Sequence, residues 1–236
     1  MDLFVATTNP GKLRELRRLV VGLPIRVVAA PDLGRPLPEV VEDGRTFREN
    51  AEKKAAAYAR FAALHALADD SGLCVDALGG APGVHSARWS ELDDVLASPA
   101  CALPAVATRE LGPEMARASR DEANNDKLLA SLTGVPDERR GAVYVAVLAL
   151  ARPDGSIAAE VEGRCRGRIG RVRRGAGGFG YDPLFIPESE LAQARPRTMA
   201  ELTPDEKDAI SHRGSALRAL RPVLQGIAFD KTSREG

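Results

Sequence analysis

The sequence predicts an α/β fold: a mixed β-sheet flanked by helices. Two patterns lead there. Over the first seventy residues, short apolar strand-like runs alternate with helical periodicity, the signature of α/β architecture. In the middle of the chain, two strand-like runs flank the turn residues Pro153, Asp154 and Gly155 and read as an antiparallel hairpin, so strands of both senses are present. At 236 residues the chain can bury a sizeable core as one large domain or two closely joined lobes.

The elements follow in order. Asp2–Ala6 reads as a short buried strand and Thr7–Gly11 as a loop. Lys12–Val21 has helical spacing, with Leu13, Leu16, Leu19 and Val20 on one face. A second strand is predicted at Arg26–Ala29 and a loop at Pro31–Pro38. Thr46 and Glu49 form a capping box that opens a long alanine-rich helix to about Leu64. The next strand starts at Leu67 and is predicted to stop at Asp69, with Ser71 and Gly72 forming a tight turn. Ala142–Leu150 and Ser156–Arg166 are the arms of the hairpin. Thr203, Pro204 and Glu206 mark a helix start. That helix runs toward His212, with Gly214 predicted to interrupt it before Ser215–Gln225 continues. Residues from about 91 to 120 are rich in Pro and Ala without clean periodicity and read as a surface insertion. A single domain over 1–225 with a polar, frayed tail at 226–236 is the predicted organisation.

Composition excludes several classes. Lys plus Arg and Asp plus Glu are equal at 33 each, so no global field draws the protein to nucleic acid or membrane. Cys74, Cys101 and Cys165 are far apart and form no C-x-x-C, which argues against a disulfide framework or zinc site and makes a reducing cytoplasm the default. The amino-terminal residues lack the basic flank and apolar length of a signal peptide. The longest apolar run, Ala142–Ala151, is about half of what a membrane-spanning helix needs.

The chemistry is expected around Asp69 and Asp70. Adjacent carboxylates at the exit of a buried strand repel each other and resist desolvation unless a cation or hydrogen-bond donors meet them. A hard ion such as Mg²⁺, which keeps waters and ties to substrate phosphates, suits the spot and makes phosphate chemistry the first expectation. In the loop Glu42-Asp43-Gly44 the two acidic residues offer further carboxylates. Thr7, Thr8, Asn9, Pro10, Gly11 and Lys12 lie between a strand and a helix start, where free amides, the helix dipole and the lysine favour anions. This is no Walker A loop, because Ala6 stands where its first glycine belongs and Leu13 where its Ser or Thr belongs.

Gly175–Gly180 matches G-x-G-x-x-G but is followed by Pro183 rather than by a helix. It reads instead as a loop carrying Phe179 and Tyr181 toward a planar ligand. Arg164, Arg166 and Arg168 share one strand face, with Arg171, Arg173 and Arg174 beyond, and read as a solvated face rather than a nucleic-acid stripe. The three histidines lie far apart without metal-ligand spacing, and no G-x-S-x-G elbow is present.

Taken together and in order, these stretches resemble the inosine/xanthosine triphosphate pyrophosphatase family. They are Ala6–Lys12 with Glu15, Thr46–Ala51 with Lys54, Ala68–Leu73, Leu78–Val84 with Ser86–Arg88, Asn124 with Lys127–Leu129, Gly177–Pro183, and Glu201–Thr203 through Lys207 to Ile210–Gly214. The resemblance implies an elongated α/β fold with a mixed sheet and two lobes around a cleft, a homodimer, and Mg²⁺-dependent hydrolysis of non-standard purine nucleoside triphosphates (ITP, dITP, XTP) to monophosphate and pyrophosphate. On that resemblance Thr7–Lys12 hold the phosphates, Asp70 is metal ligand and proton acceptor, and Ser71 contacts substrate. Phe179, Gly180, Tyr181, Asp182, Lys207, His212 and Arg213 surround the purine. Two departures stand out: the long 91–120 stretch, and the loop Val41–Gly44 where many relatives carry consecutive Glu residues, which bears on Glu42 as second metal ligand.

The residues leave open whether Asp70 binds metal, deprotonates water, or both. Arg213, a donor-only side chain, is expected to favour the 6-oxo group of hypoxanthine and xanthine over the 6-amino group of adenine. A related pyrophosphatase acting on modified pyrimidine or methylated guanine nucleotides, and a nucleic-acid-binding module using the arginine stripe, are the alternatives.

Overall fold

The computed structural model describes residues 1–92, 112–191 and 193–232. In chain order the elements are β1 (Asp2–Ala6), α1 (Pro10–Leu19), β2 (Arg26–Val28), α2 (Phe47–Ala62), β3 (His65–Val75) and α3 (Pro113–Ser131). After them come β4 (Gly141–Ala151), β5 (Ile157–Ile169), β6 (Phe185–Pro187), α4 (Glu188–Leu191), α5 (Pro204–Ile210) and α6 (His212–Thr232). The six strands form one sheet in the order β2-β1-β3-β4-β5-β6. β1 pairs in parallel with β2 and with β3, whereas β5 and β6 are antiparallel, so the sheet is mixed as predicted. The β4–β5 turn is closed by Arg152 N to Ser156 O and Gly155 N to Arg152 O, both 2.8 Å.

The described residues divide into two compact units, one from Met1–Ser71, Tyr144–Cys165 and Pro204–Gly236, the other from Gly72–Val143 and Arg166–Thr203. In the first unit the sheet is covered on both faces, and strand alternation decides which residue goes where. Leu3, Val5, Leu67, Ala146, Leu148 and Leu150 pack with Leu16 of α1, Val20 at its C-terminal cap, and Leu217, Leu220 and Leu224 of α6. Their strand neighbours Phe4, Ala6, Ala66, Ala68, Val147 and Ala149 face Ala51, Ala55 and Ala59 of α2. These three alanines recur every four residues, so α2 presents a row of methyl groups and lies close against the sheet. Thr46 and Glu49 make the predicted capping box.

In the second unit α3 packs on the helical segment Gly83–Leu92, where Asn124 Oδ1 accepts from Ser90 N at 2.7 Å. The buried Arg140 guanidinium donates to the carbonyls of Leu132, Ile169 and Gly170.

Four expectations need correction. β3 does not stop at Asp69; it continues through Asp70, Ser71 and Gly72 to Val75, because both carboxylates meet cations inside the fold and need no turn to reach water. The break between the last two helices falls at Ser211, whose Oγ accepts from Gly214 N at 3.0 Å, so Gly214 lies inside α6. A Cβ at Gly214 would overlap the carbonyl oxygen of Asp208; the glycine permits close approach of α5 and α6 instead of breaking a helix. α6 runs on to Thr232, through much of the expected polar tail. Of the expected insertion, residues 113–120 belong to α3, and 93–111 lie outside the described residues.

Candidate active site

Asp69 and Asp70 are adjacent in sequence but do not crowd each other. Successive side chains of a strand point to opposite faces of the sheet. Asp69 therefore turns to the α1/α6 face and Asp70 to the α2 face, and each finds its own cations.

On the first face, Asp69 Oδ1 accepts from Lys12 Nζ at 2.6 Å and from Ser71 Oγ at 2.8 Å, and Asp69 Oδ2 from Arg213 Nε at 2.6 Å. Arg213 also pairs through Nη1 with Glu15 and donates through Nη2 to Ser71 Oγ at 3.0 Å. Lys207 Nζ closes the network on Glu15 Oε1 at 2.7 Å. Burial works against ionising Asp69, but Arg213 and Lys12 outweigh it and hold the carboxyl well below its usual range. Glu15 behaves likewise: Arg213 and Lys207 overcome burial and bring it down to about 2. Burial lowers the Lys12 ammonium despite Asp69.

On the opposite face, Lys54 Nζ donates to Asp70 Oδ1 at 2.8 Å, Glu42 Oε2 at 2.9 Å and the Asp69 carbonyl at 3.1 Å. Asn50, one turn before Lys54 on α2, donates to Asp70 Oδ2 at 3.3 Å and accepts from Gly44 N at 2.8 Å. Asn50 thereby ties the acidic loop to the strand, and a Cβ at Gly44 would overlap its amide oxygen. Burial dominates at Asp70 and pushes its carboxyl above the ordinary range even with Lys54 beside it. For Lys54, burial is outweighed by Asp70 and Glu42, and the ammonium is raised. Among the described residues no group of three His, Cys, Asp or Glu gathers as a metal cage. Two carboxylates, one buried, suit the partial protein ligation of Mg²⁺, which completes its shell with waters and phosphate oxygens.

The Thr7–Lys12 loop differs from expectation in one respect. Asn9 is the N-cap of α1, and its Oδ1 accepts from Gly11 N at 2.9 Å and Lys12 N at 3.3 Å, so these two amides are already satisfied. Thr7 Oγ1 accepts from Asn9 N, Pro10 occupies the first turn and Thr8 is exposed. The charge this loop presents is Lys12, beside Asp69.

The expected purine contacts divide by unit. In the first, the Arg213 side chain is 1 % exposed with Nε, Nη1 and Nη2 all donating, so its guanidinium braces α1, β3 and α6. Lys207 is likewise held by Glu15. His212 stacks on Tyr144 with centroids 4.7 Å apart and planes 11° from parallel; its Nδ1 has no hydrogen-bond partner among the described residues, and burial holds the imidazole neutral, well below its usual pKa. Gly163 on β5 permits that placement, since a Cβ there would overlap the His212 carbonyl and the Ala216 amide.

In the second unit, Tyr181 is buried and donates from its hydroxyl to Ser86 O at 2.9 Å, and Asp182 accepts from Phe179 N at 2.8 Å. Both side chains hold the loop from inside. Phe179 and Gly180 remain partly exposed at its tip. The arginine face is ion-paired: Arg164 with Glu162, Arg171 with Asp137, and Arg173 with Asp126.

Reading single motifs passed over Tyr144 and Gly163, and took Glu15, Asn50 and Lys54 only as parts of longer stretches. Asn50 and Lys54 carried a usable signal, a polar pair at i and i+4 on the face of an otherwise alanine-lined helix. Tyr144 and Gly163 carried none, because their partner lies far along the chain.

The sequence profile of the Ham1 family matches residues 3–223. A dITP/XTP pyrophosphatase of Anaeromyxobacter dehalogenans (strain 2CP-C) is 69 % identical over 232 residues, covering 97 % of this chain and 99 % of that protein. One from Streptomyces coelicolor is 45 % identical over 227 residues, covering 95 % and 98 %. Among solved structures, a HAM1 protein from Coxiella burnetii superposes with a TM-score of 0.73 at 36 % identity, over 96 % of this chain and 99 % of that one. The nucleoside-triphosphatase / dITP/XTP pyrophosphatase from Mycobacterium abscessus gives 0.63 at 43 % identity, over 95 % and 100 %. The profile match, the relatives and the shared α/β sheet agree: this chain belongs to the Ham1 family.

Proposed function

We propose that this protein hydrolyses non-standard purine nucleoside triphosphates, such as ITP, dITP and XTP, to the nucleoside monophosphate and pyrophosphate. The observation that carries this reading is the Asp70–Lys54–Glu42 group, with Lys12 beside it, in a chain so close to enzymes named for that activity. A triphosphate carries about four negative charges, so attack on its α-phosphorus requires cations fixed beforehand.

Asp70 and Glu42 are the residues we assign to Mg²⁺, which supplies charge neutralisation and orientation of the leaving pyrophosphate. Lys12 meets phosphate oxygens. The Asp70 carboxylate takes a proton from the attacking water as the water oxygen bonds to the α-phosphorus and the bond to the pyrophosphate oxygen breaks. Ser71 keeps its expected contact with substrate, and Phe179 and Gly180 keep theirs with the purine. Every purine has a π-face, so stacking on Phe179 adds affinity without selectivity. A homodimer working in the cytoplasm completes the proposal; no helix among the described residues is long and apolar enough to cross a membrane.

The test is pyrophosphate release from ITP, dITP, XTP, GTP and ATP with and without Mg²⁺, for the wild type and Asp70→Asn. We expect the 6-oxo, non-standard nucleotides to lead, Mg²⁺ to be required, and Asp70→Asn to lose about 10²–10⁴ in kcat with its melting curve preserved. Near-normal turnover of ITP by the variant would remove Asp70 from the chemistry.

A further inference from the structure

We infer that Lys54 is a placeholder cation, whose ammonium occupies the oxygens that a divalent ion needs and makes metal loading depend on the arrival of the nucleotide. The inference rests on the assignment of Asp70 and Glu42 to the metal. An ammonium has three donors, and Lys54 Nζ has three oxygen partners: Asp70 Oδ1, Glu42 Oε2 and the Asp69 carbonyl, at 2.8, 2.9 and 3.1 Å. Its side chain is only 10 % exposed, so the charge is held inside the group instead of wandering in solvent. With Lys54 in place, the two carboxylates and the ammonium leave one net negative charge, weak attraction for a dication.

A triphosphate changes that balance. It brings its own negative charge and oxygen ligands, so an Mg²⁺–nucleotide complex can take over the carboxylates. The displaced ammonium then has phosphate oxygens within its reach as new partners. Lys54 thus has two roles in sequence: it satisfies Asp70 and Glu42 before loading and pairs with phosphate afterwards. Asn50, which holds Asp70 Oδ2 and Gly44 N, keeps the carboxylates in position during the exchange.

The experiment is calorimetric titration of nucleotide-free enzyme with Mn²⁺ and Mg²⁺, comparing wild type with Lys54→Gln, which removes the charge, and Lys54→Arg, which keeps it. Lys54→Gln should bind the metal at least about tenfold more tightly than wild type, and Lys54→Arg should not. Its melting temperature should be lower without metal and should rise more than that of wild type when metal is added. Equal affinity for all three proteins would overturn the inference. The metal assignment itself is judged separately: if Lys54→Gln and the double variant Lys54→Gln/Asp70→Asn bind Mn²⁺ alike, that assignment fails and the inference falls with it. Should Lys54→Gln not fold, the wild type still decides, through acetic anhydride labelling of Lys54 read by mass spectrometry. Mg²⁺ raised until calorimetry shows the nucleotide-free site filled despite Lys54 should increase Lys54 labelling severalfold, and unchanged labelling at that occupancy refutes displacement.

Discussion

Replacing Arg213 with methionine separates two roles for this side chain, a buried brace and a reader of the base. The guanidinium is 1 % exposed and joins Asp69, Glu15 and Ser71. Methionine preserves much of the volume, so the loss is mainly electrostatic. Removing one partner of a buried pair costs about 3–5 kcal/mol, because the other charge stays buried and uncompensated. Here each carboxylate keeps a second cation, Lys12 at 2.6 Å from Asp69 and Lys207 at 2.7 Å from Glu15, which sets the expectation at the lower end, about 3 kcal/mol. For a chain of this size that is a fall in Tm of about 6–12 °C. The assay is a thermal melt at pH 7 beside the ratio of ITP to ATP turnover. A Tm within about 2 °C of wild type together with a collapsed ITP preference would show a guanidinium free to meet the base, and the brace would be wrong.

Two further predictions use the same network and its neighbour. Glu15 is held at about 2 against the ordinary glutamate value of 4.5, so its contribution to stability, about 3 kcal/mol, is complete above pH 4.5 and disappears as pH falls toward 2. Urea melts across that window should show Glu15→Gln much less sensitive to acid than wild type, and parallel curves would contradict the assignment. Gly163→Ala places a methyl group against the His212 carbonyl and the Ala216 amide, both backbone, so the start of α6 must move. A loss of about 1–3 kcal/mol is expected in a melt, and an unchanged Tm and KM for ITP would mean that this approach is not constrained.

The sequence alone determined much of this protein. Strand and helix periodicity gave the alternating elements, the capping box at Thr46 fixed the start of α2, and the ordered stretches from Ala6 to Gly214 identified the family, because these signals act over a few residues. It misjudged Asp69 and Asp70 as a crowded pair ending a strand, since only pairing inside a sheet sends them to opposite faces. Nor could it show that Glu15, 198 residues away, holds the Arg213 guanidinium, since nothing local reveals that contact. Spacing along the chain reports which side chains share a face. Which charge neutralises which is decided by contacts between α1, α2, β3 and α6, and those exist only once the chain has folded.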